Sequence, residues 1–186
     1  MNGIDAHIYV LVNQTLSASW LDPVMYYVSH KWFWLPVYAL IVGICVKTFK
    51  TKAWLPILCM LLCLLASDRF TSGVMKPLFD RVRPCHEQTL HPRIIEGVHC
   101  SDTGSMASSH AANHFALSVF LILLFGIKGR MRWVLIAWAT VVAYSRVYLG
   151  VHYPSDILVG AAIGTGIAFL IHYLYLKLFA QLKWTL

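Results

Sequence analysis

The chain has 186 residues, 59% of them hydrophobic and 12% charged, with a formal net charge of +7. Soluble domains average about 45–50% apolar and about 25% charged residues, so the composition excludes an ordinary water-solvated globule and makes lipid the natural solvent. The length suits one domain, and no Ser/Gly-rich linker, internal repeat or low-complexity tract divides it, so residues 1–186 are read as a single membrane-embedded unit.

Met1 to Leu16 has none of the basic start, apolar run and small-residue cleavage site of a signal peptide, so insertion is expected to be directed by the spans themselves. Ile4, Ile8, Leu11 and Val12 share one helical face, with Asp5, Asn13 and Gln14 off it. That pattern predicts a helix lying in the membrane interface or a short extra span. Asp22 before Pro23 reads as a helix N-cap with proline in the first turn, starting a second helix toward Val28, so residues 1–31 form an N-terminal interfacial segment. Hydropathy then predicts spans at about 32–49, 53–75, 108–127, 132–149 and 155–180, each near the ~20 residues that cross a hydrocarbon core. The expected fold is an all-α polytopic membrane helical bundle with five transmembrane helices plus the N-terminal interfacial or short sixth helix. One long polar stretch, residues 77–107, joins the second and third spans and holds prolines, glycines, histidines and most of the acids.

Tracing the crossings brings that stretch, the start of the third span, the end of the fourth and the start of the fifth to one side. The opposite side carries Lys47, Lys50 and Lys52, then Lys128, Arg130 and Arg132, then Lys177 and Lys183, with no Asp or Glu among them. Short basic loops stay in the cytoplasm, so the polar loop is expected outside, in the periplasm or its equivalent at a bacterial inner membrane, and the C-terminus inside. The positive charge is thus a topological signal, and no nucleic-acid partner is expected. Trp20, Trp32, Trp34, Trp133 and Trp184 fit interfacial belts. Cys45, Cys59 and Cys63 sit in apolar spans and read as small buried hydrophobes. Cys85 and Cys100 flank the outer loop in an oxidising compartment and are the candidate disulfide, whereas an inverted topology would leave two free thiols.

Three stretches on the outer side combine the groups that phosphoryl transfer requires, namely fixed positive charge, a nucleophile and an acid for the leaving group. The first is Lys76 with Arg83 and Pro84, where the intervening proline lets both cations turn to one anion, although either alone reads first as interfacial snorkelling. Arg81 fits that snorkelling reading best. The second is Ser108, Ser109 and His110 at the start of a helix, where unpaired backbone N–H groups favour anions and a histidine near neutrality donates a proton. A serine there also reads as a plain N-cap. The third is Ser145 and Arg146 followed by His152 and Asp156, four apart with Pro154 between, so that a first-turn carboxylate reaches the imidazole and fixes its tautomer. The alternative for that pair is a helix-start acid beside a packed histidine.

Jointly these spacings resemble the type 2 phosphatidic acid phosphatase family of lipid phosphate phosphatases, over about residues 32–180. Its signature is a lysine, six residues and Arg-Pro; then Pro-Ser-Gly-His; then Ser-Arg, five residues, His, three residues and Asp. Here the first and third strings match in full, at Lys76 to Pro84 and Ser145 to Asp156, while Ala107 and Ser109 replace the proline and glycine of the second. The resemblance implies His152 as nucleophile, forming a phosphohistidine, and Asp156 as its orienting carboxylate. His110 would be the proton donor, with Lys76, Arg83, Arg146, Ser108 and Ser109 on the phosphoryl oxygens. It implies no metal or other cofactor, and as partners a membrane lipid phosphate and the bilayer, with no protein partner predicted. Undecaprenyl pyrophosphate is the first expected substrate in a bacterium, with lipid A, phosphatidylglycerol phosphate and phosphatidic acid open. The family usually has six crossings, so the N-terminal helix stands where the sixth would be.

Other readings remain at this stage. His86, His91 and His99 with Cys85 and Cys100 match no standard zinc spacing and read as solvated or substrate-facing. His114, one turn after His110, reads as a packed supporting residue, and Asp68 and Arg69 as charges near the membrane that either support the site or pair elsewhere. The rival functions are a lipid phosphotransferase on the same scaffold and a non-enzymatic binder or transporter of lipid phosphate.

Overall fold

The computed structural model describes residues 3–182, so Lys183 and Trp184 lie outside the described residues. All regular elements among them are helical. Helix α1 (Ile4–Val10) runs on through a π turn (Leu11–Thr15), and α2 (Leu21–Ser29) is followed by a 3₁₀ turn that leads into α3 (Leu35–Phe49). Helix α4 (Trp54–Phe70) continues through a second π turn (Thr71–Met75) into the short α5 (Lys76–Phe79). After the polar loop come α6 (Ser109–Leu124), α7 (Arg130–Tyr148) and α8 (Pro154–Gln181).

Three stretches are long and apolar enough to cross a membrane: Lys31–Lys52, Trp54–Phe79 and Pro154–Gln181. Helix α6 is apolar and shorter, and α7 has 19 residues. The 7 residues of α1 and the 5 of its π turn rise roughly 18 Å, too little to cross a ~30 Å hydrocarbon core.

The N-terminal helix turns most of its apolar face outward and packs through Tyr9, Val12 and Asn13. Ile4, Ile8 and Leu11 are exposed at 80%, 42% and 47%, while Tyr9 and Asn13 are fully buried. Where lipid surrounds the protein, apolar side chains lose nothing by facing outward and polar ones gain by turning inward to partners. Asn13 accordingly donates to the carbonyls of Arg93 (3.0 Å) and Tyr148 (2.8 Å) and accepts from the Arg93 N–H (2.8 Å). Asp22 is not an N-cap: it lies in the first turn of α2, which follows Trp20, and it binds the Arg93 guanidinium and accepts from the Tyr148 hydroxyl at 2.7 Å. The N-terminal segment is thereby fastened to the polar loop and to the end of α7.

Helix α6 lies at the centre, packed along α8 and against α7 and α4. Small residues permit the closest approach. A Cβ on Gly160 would meet the Ser108 carbonyl oxygen at 2.5 Å, and one on Gly164 would meet that of Ala112 at 2.0 Å, so the α6 and α8 backbones are in contact. Away from the site the core is Cys45, Phe49, Cys59, Cys63, Leu117, Phe120, Leu121 and Tyr175, which places the three free cysteines as buried apolar groups.

Candidate active site

The close α6–α8 contact brings two helix starts together. The Ser108 N–H donates to the Asp156 carbonyl at 3.0 Å, and the Ser108 side chain accepts from the Ala111 N–H at 3.5 Å as an N-cap. That capping role leaves Ser108 fully buried, while Ser109 and His110 face a cleft of about 510 Å³. The Ser109 hydroxyl is held there by Thr71 Oγ1 (2.8 Å) and Ser72 Oγ (3.2 Å) from the π turn below Lys76.

The same cleft receives Lys76, Arg83, Arg146 and His152, together with Asp68 and with Ser29, His30 and Lys31 from the α2–α3 junction. Arg83 reaches it on a loop that consumes most of its donors. Nε donates to the Thr103 carbonyl (2.8 Å) and Nη1 to that of Val151 (3.1 Å), leaving Nη1 also 3.4 Å from His152 Nε2. Arg146 donates from Nη1 to the Ser29 hydroxyl, and its Nε is buried with no partner among the described residues. A buried guanidinium with a free donor beside two further cations has strong affinity for an anion with several oxygens.

His152 follows Gly150, whose φ of +80° and whose contacts forbid a side chain. A Cβ there would lie 3.2 Å from the Arg93 carbonyl oxygen, Asn13 Nδ2 and the Tyr9 hydroxyl oxygen. The tight turn drops His152 just before α8, where its Nδ1–H donates to Asp156 Oδ2 at 3.3 Å. The Tyr153 N–H donates to the same oxygen at 2.9 Å, which closes a capping box at the start of α8. Burial pushes the His152 imidazole down to about 4, with Arg146 and Arg83 adding to the effect against the opposing pull of Asp156. At neutral pH the ring is uncharged, with one nitrogen bound to a carboxylate and the other bare beside Arg83.

His114 donates from Nδ1 to the His110 carbonyl (2.9 Å) and lies 3.3 Å from the Tyr38 hydroxyl, one layer behind the cleft. Arg69 is exposed and does not line the cleft. Cys85 and Cys100 are disulfide-bonded with Cα atoms 6.4 Å apart. Their sulfurs therefore have no thiolate to offer the neighbouring His86, whose ring nitrogen lies 3.2 Å from Cys100 Sγ and 3.3 Å from the Ser101 carbonyl oxygen. Of the loop histidines, His99 faces the cleft and His91 is exposed.

Arg81 corrects the sequence reading. Instead of reaching for headgroups it donates from Nη1 to Asp156 Oδ1 (2.8 Å) and from Nη2 to Asp5 Oδ2 (2.6 Å). Ser29 was also missed. No spacing marks it, because it meets Arg146 from a sequence distance of 117 residues.

Residues 53–180 match the PAP2 superfamily. The chain is 33% identical to a lipid A 4'-phosphatase of Bacteroides thetaiotaomicron over 98% of its own length and 82% of that protein. It is 30% identical to an undecaprenyl-diphosphatase of Sulfolobus acidocaldarius, over 90% of this chain and 77% of the other. Its fold is similar to the crystal structure of a transmembrane PAP2-type phosphatidylglycerolphosphate phosphatase from Bacillus subtilis. That likeness has a TM-score of 0.71 and 27% identity, covering 93% of this chain and 85% of that one.

Proposed function

The chain belongs to the PAP2 superfamily and is a membrane lipid phosphatase, and from that premise we propose that it hydrolyses the phosphate of a lipid A-type saccharolipid through a phosphohistidine on His152, without a metal. The observation that carries the mechanism is the buried, neutral His152 between Asp156 and Arg83, opening on a cleft lined by Lys76, Arg146, Ser109 and His110.

In the first step the Nε2 lone pair attacks phosphorus and the bond to the lipid oxygen breaks. His110 gives that oxygen its proton. Asp156 stabilises the charge that develops on the His152 ring, and Arg83, Arg146 and Lys76 hold the non-bridging oxygens, joined by the Ser109 hydroxyl and the unpaired N–H groups that open α6. In the second step His110, now neutral, takes a proton from water. The resulting hydroxide attacks phosphorus, the P–N bond breaks, and inorganic phosphate leaves. Ser108 acts through its cap, holding the α6 start against Asp156.

Two features support a saccharolipid. The similarity to the lipid A 4'-phosphatase runs through nearly the whole chain, including the N-terminal segment and polar loop that frame the cleft. The cleft also extends past the cations to a rim of Tyr26, His30, Lys31 and His99, in which the Tyr26 and His30 rings stack 6.0 Å apart, a surface suited to a sugar. Undecaprenyl diphosphate is the second reading, favoured by the Sulfolobus relative and by Lys31, which would meet a second phosphate.

The same reading has five crossings in one membrane-embedded unit, with the N-terminal helices at the outer surface. The cleft faces the periplasm of a bacterial inner membrane, and the lysine and arginine turns face the cytoplasm. The test is phosphate release in detergent with EDTA, comparing lipid A, undecaprenyl diphosphate, phosphatidylglycerol phosphate and phosphatidic acid. The expected result is chelator-insensitive release with lipid A turned over fastest. Dependence on added metal contradicts the mechanism, and a preference for another lipid contradicts the substrate.

A further inference from the structure

Behind the His152–Asp156 pair lies a second layer of charge built from residues at none of the signature positions of the three motif strings. Asp156 is fully buried and each of its oxygens is engaged on a different side. Oδ2 meets His152 and the Tyr153 N–H, while Oδ1 accepts from Arg81 Nη1. The Arg81 guanidinium lies 3.9 Å over the Tyr153 ring, donates to the Ser155 hydroxyl at 2.7 Å and binds Asp5 through Nη2. Asp5 comes from α1, about 150 residues away in sequence, and also accepts from the Ser155 N–H (2.9 Å) and hydroxyl (2.6 Å). The Tyr9 ring packs on that of Tyr153 with centroids 5.7 Å apart, so α1 is docked on this layer by a ring contact and hydrogen bonds as well as by its ion pair.

We propose that Arg81 and Asp5 are positioning residues for catalysis, Arg81 locking the Asp156 carboxylate against His152 Nδ1 and Asp5 locking Arg81, so that the N-terminal helix is part of the catalytic apparatus. The inference rests on the reading of His152 as nucleophile. Without Arg81, Asp156 Oδ1 is buried without its charged partner, and the carboxylate gains by rotating away from the imidazole to find another. An arginine suits the position because a planar fork bridges two carboxylates while its face lies on an aromatic ring, which a lysine ammonium does not reproduce. The arrangement has the form of outer-layer support around a reacting group, whose loss typically costs about 10–100-fold.

The charges that face His152 are Asp156 from α8, Arg83 from the polar loop, Arg146 from α7 and His110 from α6, with Arg81 and then Asp5 behind Asp156. Arg81→Gln frees the Asp156 carboxylate to leave the imidazole, so the ring loses the neighbour that favours its protonation and the acid limb of kcat/KM moves down. Asp5→Asn loosens Arg81 and moves that limb the same way by less.

The experiment measures lipid phosphate release from about pH 4 to 9 for the intact protein, Arg81→Gln, Arg81→Lys, Asp5→Asn and His152→Ala, with thermal unfolding of each in the same detergent. Expected is a roughly 100-fold fall in kcat for Arg81→Gln with KM within about threefold and the acid limb displaced downward. Arg81→Lys recovers part of the loss, and Asp5→Asn falls about tenfold with a smaller displacement. Intact kcat in Arg81→Gln overturns the proposal, and so does a rise in KM alone with an unmoved pH profile, which would make Arg81 a headgroup contact. Should Arg81→Gln fail to fold, Arg81→Lys and Asp5→Asn decide the matter, and intact kcat in both overturns it. Intact turnover in His152→Ala overturns the nucleophile assignment instead.

Discussion

As the proposed nucleophile His152 has two demands to meet in one ring, since a nucleophile needs a bare lone pair and burial needs the absence of charge. Its environment meets both by holding the imidazole neutral down to about pH 4. This has a measurable effect on stability. The ring titrates near 6.5 when unfolded, so between pH 6.5 and about 4 the unfolded chain binds a proton that the folded one refuses. The stability is therefore undiminished above pH 6.5 and is lost as pH falls from there to about 4, by on the order of 3 kcal/mol. Thermal unfolding in detergent between pH 7 and 4 reads this directly. His152→Ala is expected to lose distinctly less over that window, and equal slopes for the two proteins contradict the assignment. The residues proposed to bear the chemistry could be named from the sequence because reaction type restricts them to a few side chains at spacings that survive any change of surroundings, and Lys76, Arg83, Ser109, His110, Arg146 and His152 do line one cleft. Arg81, Asp5 and Ser29 were not. Their roles exist only across contacts between distant segments, and each alone looks like an ordinary interfacial or helix-end polar group.

Among the elements, the α6–α8 contact sets the site, because it joins the start of the helix bearing His110 to the start of the helix that follows His152. Gly164→Ala must separate backbones that now touch, with an expected loss of about 2–3 kcal/mol in stability and at least tenfold in kcat, although the residue is remote from the cleft. Gly166→Ala, on the same helix with open space at its Cβ, should leave both unchanged. Melting temperature and turnover of the two variants check this, and equal behaviour would mean the approach is not what holds the site together. The long apolar elements were read to within a few residues of their observed ends, since hydropathy reports removal from water directly. For α1 the same signal marked the apolar face but not the partners of the polar side chains. Hydropathy says which side chains tolerate lipid, and it does not say whether polar ones such as Asp5 and Asn13 face water or buried partners.

The molecule as a whole has the proposed site at one end and its basic turns at the other. The cleft end gathers Lys76, Arg83, Arg146, His110 and His152. Around it the N-terminal segment is tied down by Asp5, which binds Arg81, and by Asn13 and Asp22, which hold the backbone and the side chain of Arg93. The most direct measurement of the central claim is rapid quench of the enzyme with ³²P-labelled lipid, followed by denaturing electrophoresis at alkaline pH. The account predicts protein-bound label that is stable to base, labile to acid, and absent from His152→Ala. Full turnover in a folded His152→Ala variant, or label that survives acid, would contradict it.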